Sequence, residues 1–285
     1  MTTFRSEFIE TGQPGVRIHV SLSETSSIPS EPTPTVVFLH YWGGSTRTWT
    51  DVPARVAAAG YPTANIDFRG WGQSTGPAEV DAYSITQLAD DVVAVLNKLH
   101  RRRIVLVGVS MGAKVVQVVA HKLGRNAVVG AVLCGPAPAT AFQLPEDMRE
   151  QQLHAYDGPE SASFVARNVL TQSFQCANQN KPLPDFFVED MLKGNPQARA
   201  AWPAYAMGED VTATSLGSLD SPPPVLILAA EKDIVEPLDR VKSGVFASIP
   251  GAELEVISRA GHLSSIDAPE AVADAIVRFV NKSTK

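Results

Sequence analysis

The stretch Ile104-Val105-Leu106-Val107-Gly108-Val109-Ser110-Met111-Gly112-Ala113-Lys114-Val115-Val116 constrains this chain more than any other. A short apolar run meets two glycines that bracket a serine, and a second apolar run follows. The first run is continuous and β-branched, as a strand buried on both faces is. The second, 113–121, reads as a helix from context, because its valines have only modest helix propensity. Gly-x-Ser-x-Gly between them predicts a sharp strand-to-helix turn with the Ser110 side chain presented at the carboxyl end of a sheet. Small residues at 108 and 112 let strand and helix approach closely around a strained serine. Ser110 is therefore a candidate nucleophile.

The rest of the chain alternates around that turn. Residues 4–22 predict two antiparallel strands with a turn at 11–15. Short apolar runs at 36–40, 63–68, 127–134, 225–230 and 252–257 predict further strands. Helices are expected at 49–59, 84–99, 238–247 and 269–280. The 84–99 segment places Ile85, Leu88, Val92, Val95, Leu96 and Leu99 on one helical face. Strands alternating with helices after a leading hairpin imply an α/β fold with a mostly parallel, doubly wound sheet. Beyond Gly135 the texture changes. Pro136 and Pro138 break the pattern, and short helices are expected at 146–155, 160–172, 183–192 and 196–207, with no strand until Val225. The expected organisation is a core domain of residues 1–135 and 216–285, with 136–215 inserted as a helical cap, or lid, over the carboxyl edge of the sheet. Residues 21–34, rich in Ser, Thr and Pro, read as a loop.

Bulk properties narrow the class. The chain has 285 residues and a formal net charge of -6, which argues against nucleic-acid or anionic-membrane partners. Arg101-Arg102-Arg103 forms a basic cluster expected to be a solvated loop before a strand. The two cysteines, Cys134 and Cys176, make no close pair, and Cys134 falls in an apolar run. Reduced thiols and a cytoplasmic location are expected. The first residues show no apolar signal core, and no apolar run is long enough to span a bilayer. The expected partner is a small-molecule substrate.

A serine hydroxyl needs a base, and the base needs an orienting anion. Asp233, in Ala-Glu-Lys-Asp, follows the 225–230 strand, and His262, in Ala-Gly-His-Leu, follows the 252–257 strand. Both fall on strand-exit loops, the edge where such sheets bind ligands. Glu231 competes as the acid, and Asp233 is preferred for its distance from the strand end. His100, His121 and His154 fall at helix ends or in the cap and read as surface residues. A developing oxyanion also needs donors. The Met111 backbone N–H, just after the serine, is one. The loop His40-Tyr41-Trp42-Gly43-Gly44 should supply the second, with Trp42 the preferred donor and His40 bracing the loop.

These segments, with Asp67 to Ser74, resemble enzymes of the α/β-hydrolase fold. The similar branch includes cofactor-free haloperoxidase-like esterases, lactonases and carbon–carbon bond hydrolases, and the likeness runs over nearly the whole chain. It implies an eight-stranded sheet, a Ser110-Asp233-His262 triad, oxyanion donors at Trp42 and Met111, and no metal or organic cofactor. Serine at 110 separates the chain from the dehalogenase and epoxide-hydrolase relatives, which carry an aspartate there. One departure stands out: family members commonly have His-Gly where this chain has His40-Tyr41. The tyrosine narrows the backbone options of the oxyanion loop and projects a side chain into or behind the site. The expected activity is hydrolysis of a carboxylic ester, lactone or thioester through an acyl-enzyme. Phe142, Phe164, Phe174, Phe186, Phe187 and Trp202 in the cap suggest an apolar acyl or aryl group. The alternatives are carbon–carbon cleavage, cyanohydrin lysis or perhydrolysis by the same triad, and a small-molecule receptor of the same fold.

Overall fold

The computed structural model describes residues 2–24, 33–171 and 183–284. Most of the loop expected at 21–34 lies outside these, as do Phe174, Cys176 and the end of the helix expected at 160–172. The leading hairpin forms β1 (Thr3–Glu10) and β2 (Arg17–Glu24). Then follow β3 (Thr35–Leu39), α1 (Val52–Ala58), β4 (Thr63–Ile66), α2 (Ile85–Lys98), β5 (Ile104–Val109), α3 (Met111–Ala127) and β6 (Val128–Cys134). The stretch between β6 and β7 carries α4 (Glu146–Leu153), α5 (Pro159–Val165), α6 (Phe186–Lys193), α7 (Pro196–Ala204) and short 3-10 turns, with no strand among its described residues. The chain closes with β7 (Val225–Ala230), α8 (Leu238–Gly244), β8 (Glu253–Ile257) and α9 (Pro269–Ser283).

The eight strands form one sheet in the order β1-β2-β4-β3-β5-β6-β7-β8. β1 pairs with β2, and β2 with β4, antiparallel; every other pairing is parallel. Every residue of β3, β5 and β7 is buried, so both faces of the central sheet are covered, as the unbroken apolar runs require. α2 packs against α3, and α1 against α9. The register sets Leu39 of β3 and Leu133 of β6 beside Gly108. The ends of β3, β5 and β6 therefore come level where the Ser110 turn begins.

Several elements differ from their sequence expectation, each for a local reason. The helix expected at 49–59 is split. Ser45 and Thr48 cap each other reciprocally around a 3-10 turn, Thr46–Trp49, Thr50 takes φ 45°, and α1 starts at Val52 with a proline in its first turn. β4 stops at Ile66 because the Asp67 carboxylate turns back to accept from the Thr46 and Gln73 backbone N–H groups and from His19. α3 runs past 121 to Ala127, tertiary packing overriding the valines, with Gly124 at φ 67° interrupting its end. Of the basic cluster, Arg102 is exposed, whereas Arg101 and Arg103 are half-buried. The Arg101 N–H bonds to Leu96 O, and Arg103 O accepts from Thr35, which draws this loop onto the core.

One ion pair ties the loop after β4 to the helical layer. Arg69 is fully buried. Its Nε and Nη2 meet both oxygens of Asp91 at 2.6 and 2.7 Å, and its remaining donors reach Ala82 O and Gln13 Oε1. The fork is thus satisfied on all sides, the condition under which a buried pair is tolerated. Removing only the carboxylate strands the guanidinium in the core. Asp91→Ala is expected to lose about 3–5 kcal/mol of stability, read as a lower urea midpoint. An unchanged midpoint would show that Arg69 does not depend on this partner.

Candidate active site

The turn after β5 holds Ser110 at φ 56°, ψ -119°, a left-handed conformation that non-glycine residues rarely adopt. Close packing keeps it there. A Cβ at Gly112 would collide with the carbonyl oxygens of Leu39 and His40, and one at Gly108 with the Gly112 carbonyl. Hydrogen bonds fix the rest: Ser110 N–H donates to Cys134 O at 3.0 Å, and Ser110 O accepts from Ala113 and Lys114. The serine thus stands at the N-terminus of α3, where the helix dipole favours developing negative charge.

His262 follows β8 and Asp233 follows β7. His262 Nδ1 lies 2.9 Å from Asp233 Oδ2, with both side chains buried. The other oxygen, Asp233 Oδ1, accepts from the backbone N–H groups of Val235 and Glu236 at 2.8 Å each. Burial alone would raise the Asp233 carboxyl, but His262 and these donors outweigh it and hold the group below its ordinary value. Burial would likewise lower His262, and the facing Asp233 carboxylate more than offsets it, so its pKa is raised. A carboxylate on Nδ1 fixes the proton there and leaves Nε2 as the basic nitrogen. Glu231, the competing acid, is exposed and instead accepts from Arg259 N–H. His100 and His154 are exposed and His121 half-buried.

The loop after β3 is braced as its composition suggested. Phe68 N–H donates to His40 Nε2 at 3.0 Å, so Nδ1 carries the proton and donates to Tyr41 O at 2.7 Å. Burial lowers the His40 pKa, which keeps this donor–acceptor pattern neutral. The Trp42 ring stacks on Tyr156 with centroids 4.2 Å apart, its Nε1 donates to Arg199 O, and Tyr156 Oη donates to Trp42 O. Neither Trp42 nor Met111 has a backbone N–H acceptor among the described residues. Tyr41 is buried and lines the cavity wall.

Ser110, His262, Tyr41 and Trp42 share a cavity of about 790 Å³. Residues 137–170 of the helical stretch, with Trp202 and Met207, form much of its wall. Phe142, Phe164 and Trp202 line it as the aromatic content suggested, whereas Phe186 and Phe187 stack on each other away from it. Four contributors escaped the sequence reading. Gly135, at φ 44°, would place a Cβ 3.1 Å from Asp233 Oδ2. Glu236 and Arg240 pair at 2.9 Å in the wall. Lys114 is buried beside the cavity. A lysine in the otherwise apolar start of α3, four residues after Ser110, was the available signal. The Cys134 thiol behind the site is buried and free, its pKa pushed up to about 12 by burial. Among the described residues no three His, Cys, Asp or Glu side chains converge as a metal site, and no helix is long and apolar enough to cross a membrane.

Residues 36–275 match the sequence profile of the alpha/beta hydrolase family. A putative non-heme chloroperoxidase from Synechocystis is 25% identical over 264 residues, covering 86% of this chain and 90% of that protein. A bromoperoxidase from Bacillus anthracis has the same fold, with TM-score 0.80 and 18% identity over 97% of this chain and all of that one. So does an esterase from Exiguobacterium antarcticum, with TM-score 0.77 and 22% identity over 99% of this chain and all of that one. The eight-stranded sheet with two antiparallel pairings and the profile match over most of the length agree: this chain is a member of the alpha/beta hydrolase family.

Proposed function

We propose that this protein is a serine hydrolase that cleaves carboxylic esters of small, largely apolar molecules through Ser110, His262 and Asp233. The observation that carries the reading is the buried Asp233–His262 hydrogen bond in a cavity that also contains a backbone-strained serine. In this mechanism His262 Nε2 takes the Ser110 proton as the oxygen attacks the ester carbonyl, and Asp233 stabilises the imidazolium. The N–H groups of Met111 and Trp42 receive the oxyanion. The imidazolium then gives its proton to the departing alcohol, and water cleaves the acyl-enzyme by the reverse sequence. Residues 136–215 act as the cap whose inner wall meets the acyl or alcohol group. The esterase neighbour supports an ester as the substrate, and the buried free Cys134 fits a reducing, cytoplasmic setting.

Two measurements test this. Purified protein should turn over p-nitrophenyl acetate and take up one fluorophosphonate label. Ser110→Ala should lose both, with kcat falling by roughly six orders of magnitude. Equal rates in the two proteins would sink the ester reading. Labelling of Ser110 without ester turnover would point to other chemistry of the same triad, such as carbon–carbon cleavage.

The pH profile supplies a further test. The base works only when neutral, and its pKa lies above the ordinary histidine value of 6.5. The acidic limb of kcat/KM should therefore have its midpoint above that value. In Asp233→Asn burial remains and the facing charge is gone. Glu236 and Arg240 act on His262 in opposite directions, so the limb should move to lower pH, while kcat falls about ten-thousand-fold. A limb unmoved by this substitution would mean that His262 is not the titrating base.

A further inference from the structure

Lys114 is only 1% exposed. Its ammonium donates to two main-chain carbonyls, Met207 O at 3.0 Å and Thr140 O at 3.3 Å. An ammonium has three donors, and neutral carbonyls do not cancel its charge. Among the described residues no carboxylate lies within ion-pair distance of it. Three carboxylates, Glu209, Asp210 and Glu236, act on it from beyond contact, and each has other partners. Glu209 caps α2 through the Ile85 and Thr86 N–H groups, and Asp210 accepts from Thr212. Burial lowers the Lys114 pKa to about 8, which leaves it mostly charged at neutral pH.

The other ionisable side chains of the cavity wall, apart from the His262 pair and the tyrosines, are matched. Glu236 meets Arg240 at 2.9 Å, and Arg240 also donates to Val235 O and lies over the Phe142 ring. His154 sits between Glu150 and Asp157. Lys114 is the ionised side chain of this wall that has no carboxylate in contact with it. A buried charge without a counter-charge is costly. A lysine serving only to tether α3 to two carbonyls gains nothing from standing in a cavity wall. Its position fits a site completed by a ligand. The Lys114 backbone N–H donates to Ser110 O at 3.2 Å and both side chains line the same cavity, so one small molecule in that cavity can reach both.

We propose that Lys114 forms an anion-recognising end of the cavity, and that the natural substrate is an apolar ester or lactone carrying a free carboxylate a few carbons from the scissile carbonyl. This rests on the ester-hydrolase reading for the reaction, although the binding site itself does not. The Glu236–Arg240 pair forms a further polar part of the wall and also acts on His262. An incoming carboxylate meets the unspent Lys114 donor in a water-poor setting, where a charge-assisted hydrogen bond is strong.

The test compares two esters matched in chain length, mono-4-nitrophenyl glutarate and 4-nitrophenyl pentanoate, in wild type and Lys114→Met. The ratio of kcat/KM for the anionic ester over the neutral one should fall about ten-fold or more in the variant. A tether alone would leave that ratio unmoved, and an unmoved ratio in a folded variant overturns the proposal. Binding is read independently of turnover as the rise in Tm of wild type with glutarate or with the neutral glutaramide at equal ionic strength. A rise with glutarate alone supports the anion site even where Lys114→Met does not fold, and equal shifts overturn it. If neither ester is cleaved while glutarate alone protects, the anion site stands and the ester reading falls. Cleavage of both esters without a Lys114-dependent ratio does the opposite.

Discussion

The structure turns on one close approach. The first turn of α3 lies so near the end of β3 that Gly112 has no room for a Cβ beside the Leu39 and His40 carbonyls. The same contact fixes two things at once. It bends the chain hard enough to hold Ser110 in a left-handed conformation, and it sets the exit of β3, with Tyr41 and Trp42, beside the helix N-terminus. Ser110 and the loop after β3, some seventy residues apart in the chain, become neighbours through backbone packing. His40 extends the constraint to a third strand, since its ring links the Phe68 N–H after β4 to the Tyr41 carbonyl. The strain at Ser110 is over-determined in the sense that surrounding packing, and not the serine itself, maintains it.

Around this rigid centre the buried charges divide by partner. Arg69–Asp91 and Asp233–His262 are buried pairs: Arg69 also donates to Ala82 O and Gln13 Oε1, and Asp233 Oδ1 also accepts two backbone N–H groups. The first pair lies under the loop after β4 and holds structure. The second faces the cavity and carries two opposed pKa shifts, the acid down and the base up, as expected when each stabilises the charged form of the other. Glu236 differs: burial pushes its carboxyl up to about 7 despite Arg240 beside it. It sits three residues after Asp233 and gives that carboxylate a backbone N–H, so the partner of His262 and a second buried acid are positioned by one turn.

The fold was largely legible because its central strands are buried on both faces and so appear as unbroken apolar runs. That signal is hard to mistake once helices alternate with it. Positions at strand exits were legible for the same reason, since chain order and the end of each run locate them, and Asp233 and His262 meet at 2.9 Å. What escaped was set by neighbours distant in sequence. Asp91 lies on the same helical face as Leu88 and Val95, and a carboxylate on an apolar stripe marks a buried partner, but its identity, Arg69, is fixed only by the loop after β4. The split at 46–58 came from a reciprocal cap between Ser45 and Thr48, a short-range device hidden under a longer apolar pattern. Gly135 read as the start of a loop, although its space is taken by Asp233 and His262. The helical stretch was the least legible part, because amphipathic short helices do not announce which face covers a cavity.

Lys114 joins these points. Local consistency explains most of this sequence: apolar where strands are covered, small where backbones meet, acidic where histidine must be oriented. Places where a sequence breaks that consistency without repair nearby tend to be functional. Arg69 breaks it and is repaired by Asp91; Glu236 breaks it and is repaired by Arg240. Lys114, in the apolar first turns of α3, has two carbonyls and no carboxylate in contact with it. The turn into α3 holds the strained Ser110, and four positions later the helix carries a buried lysine. Both departures fall on the face that meets the cavity, and a molecule reaching from one to the other would satisfy both.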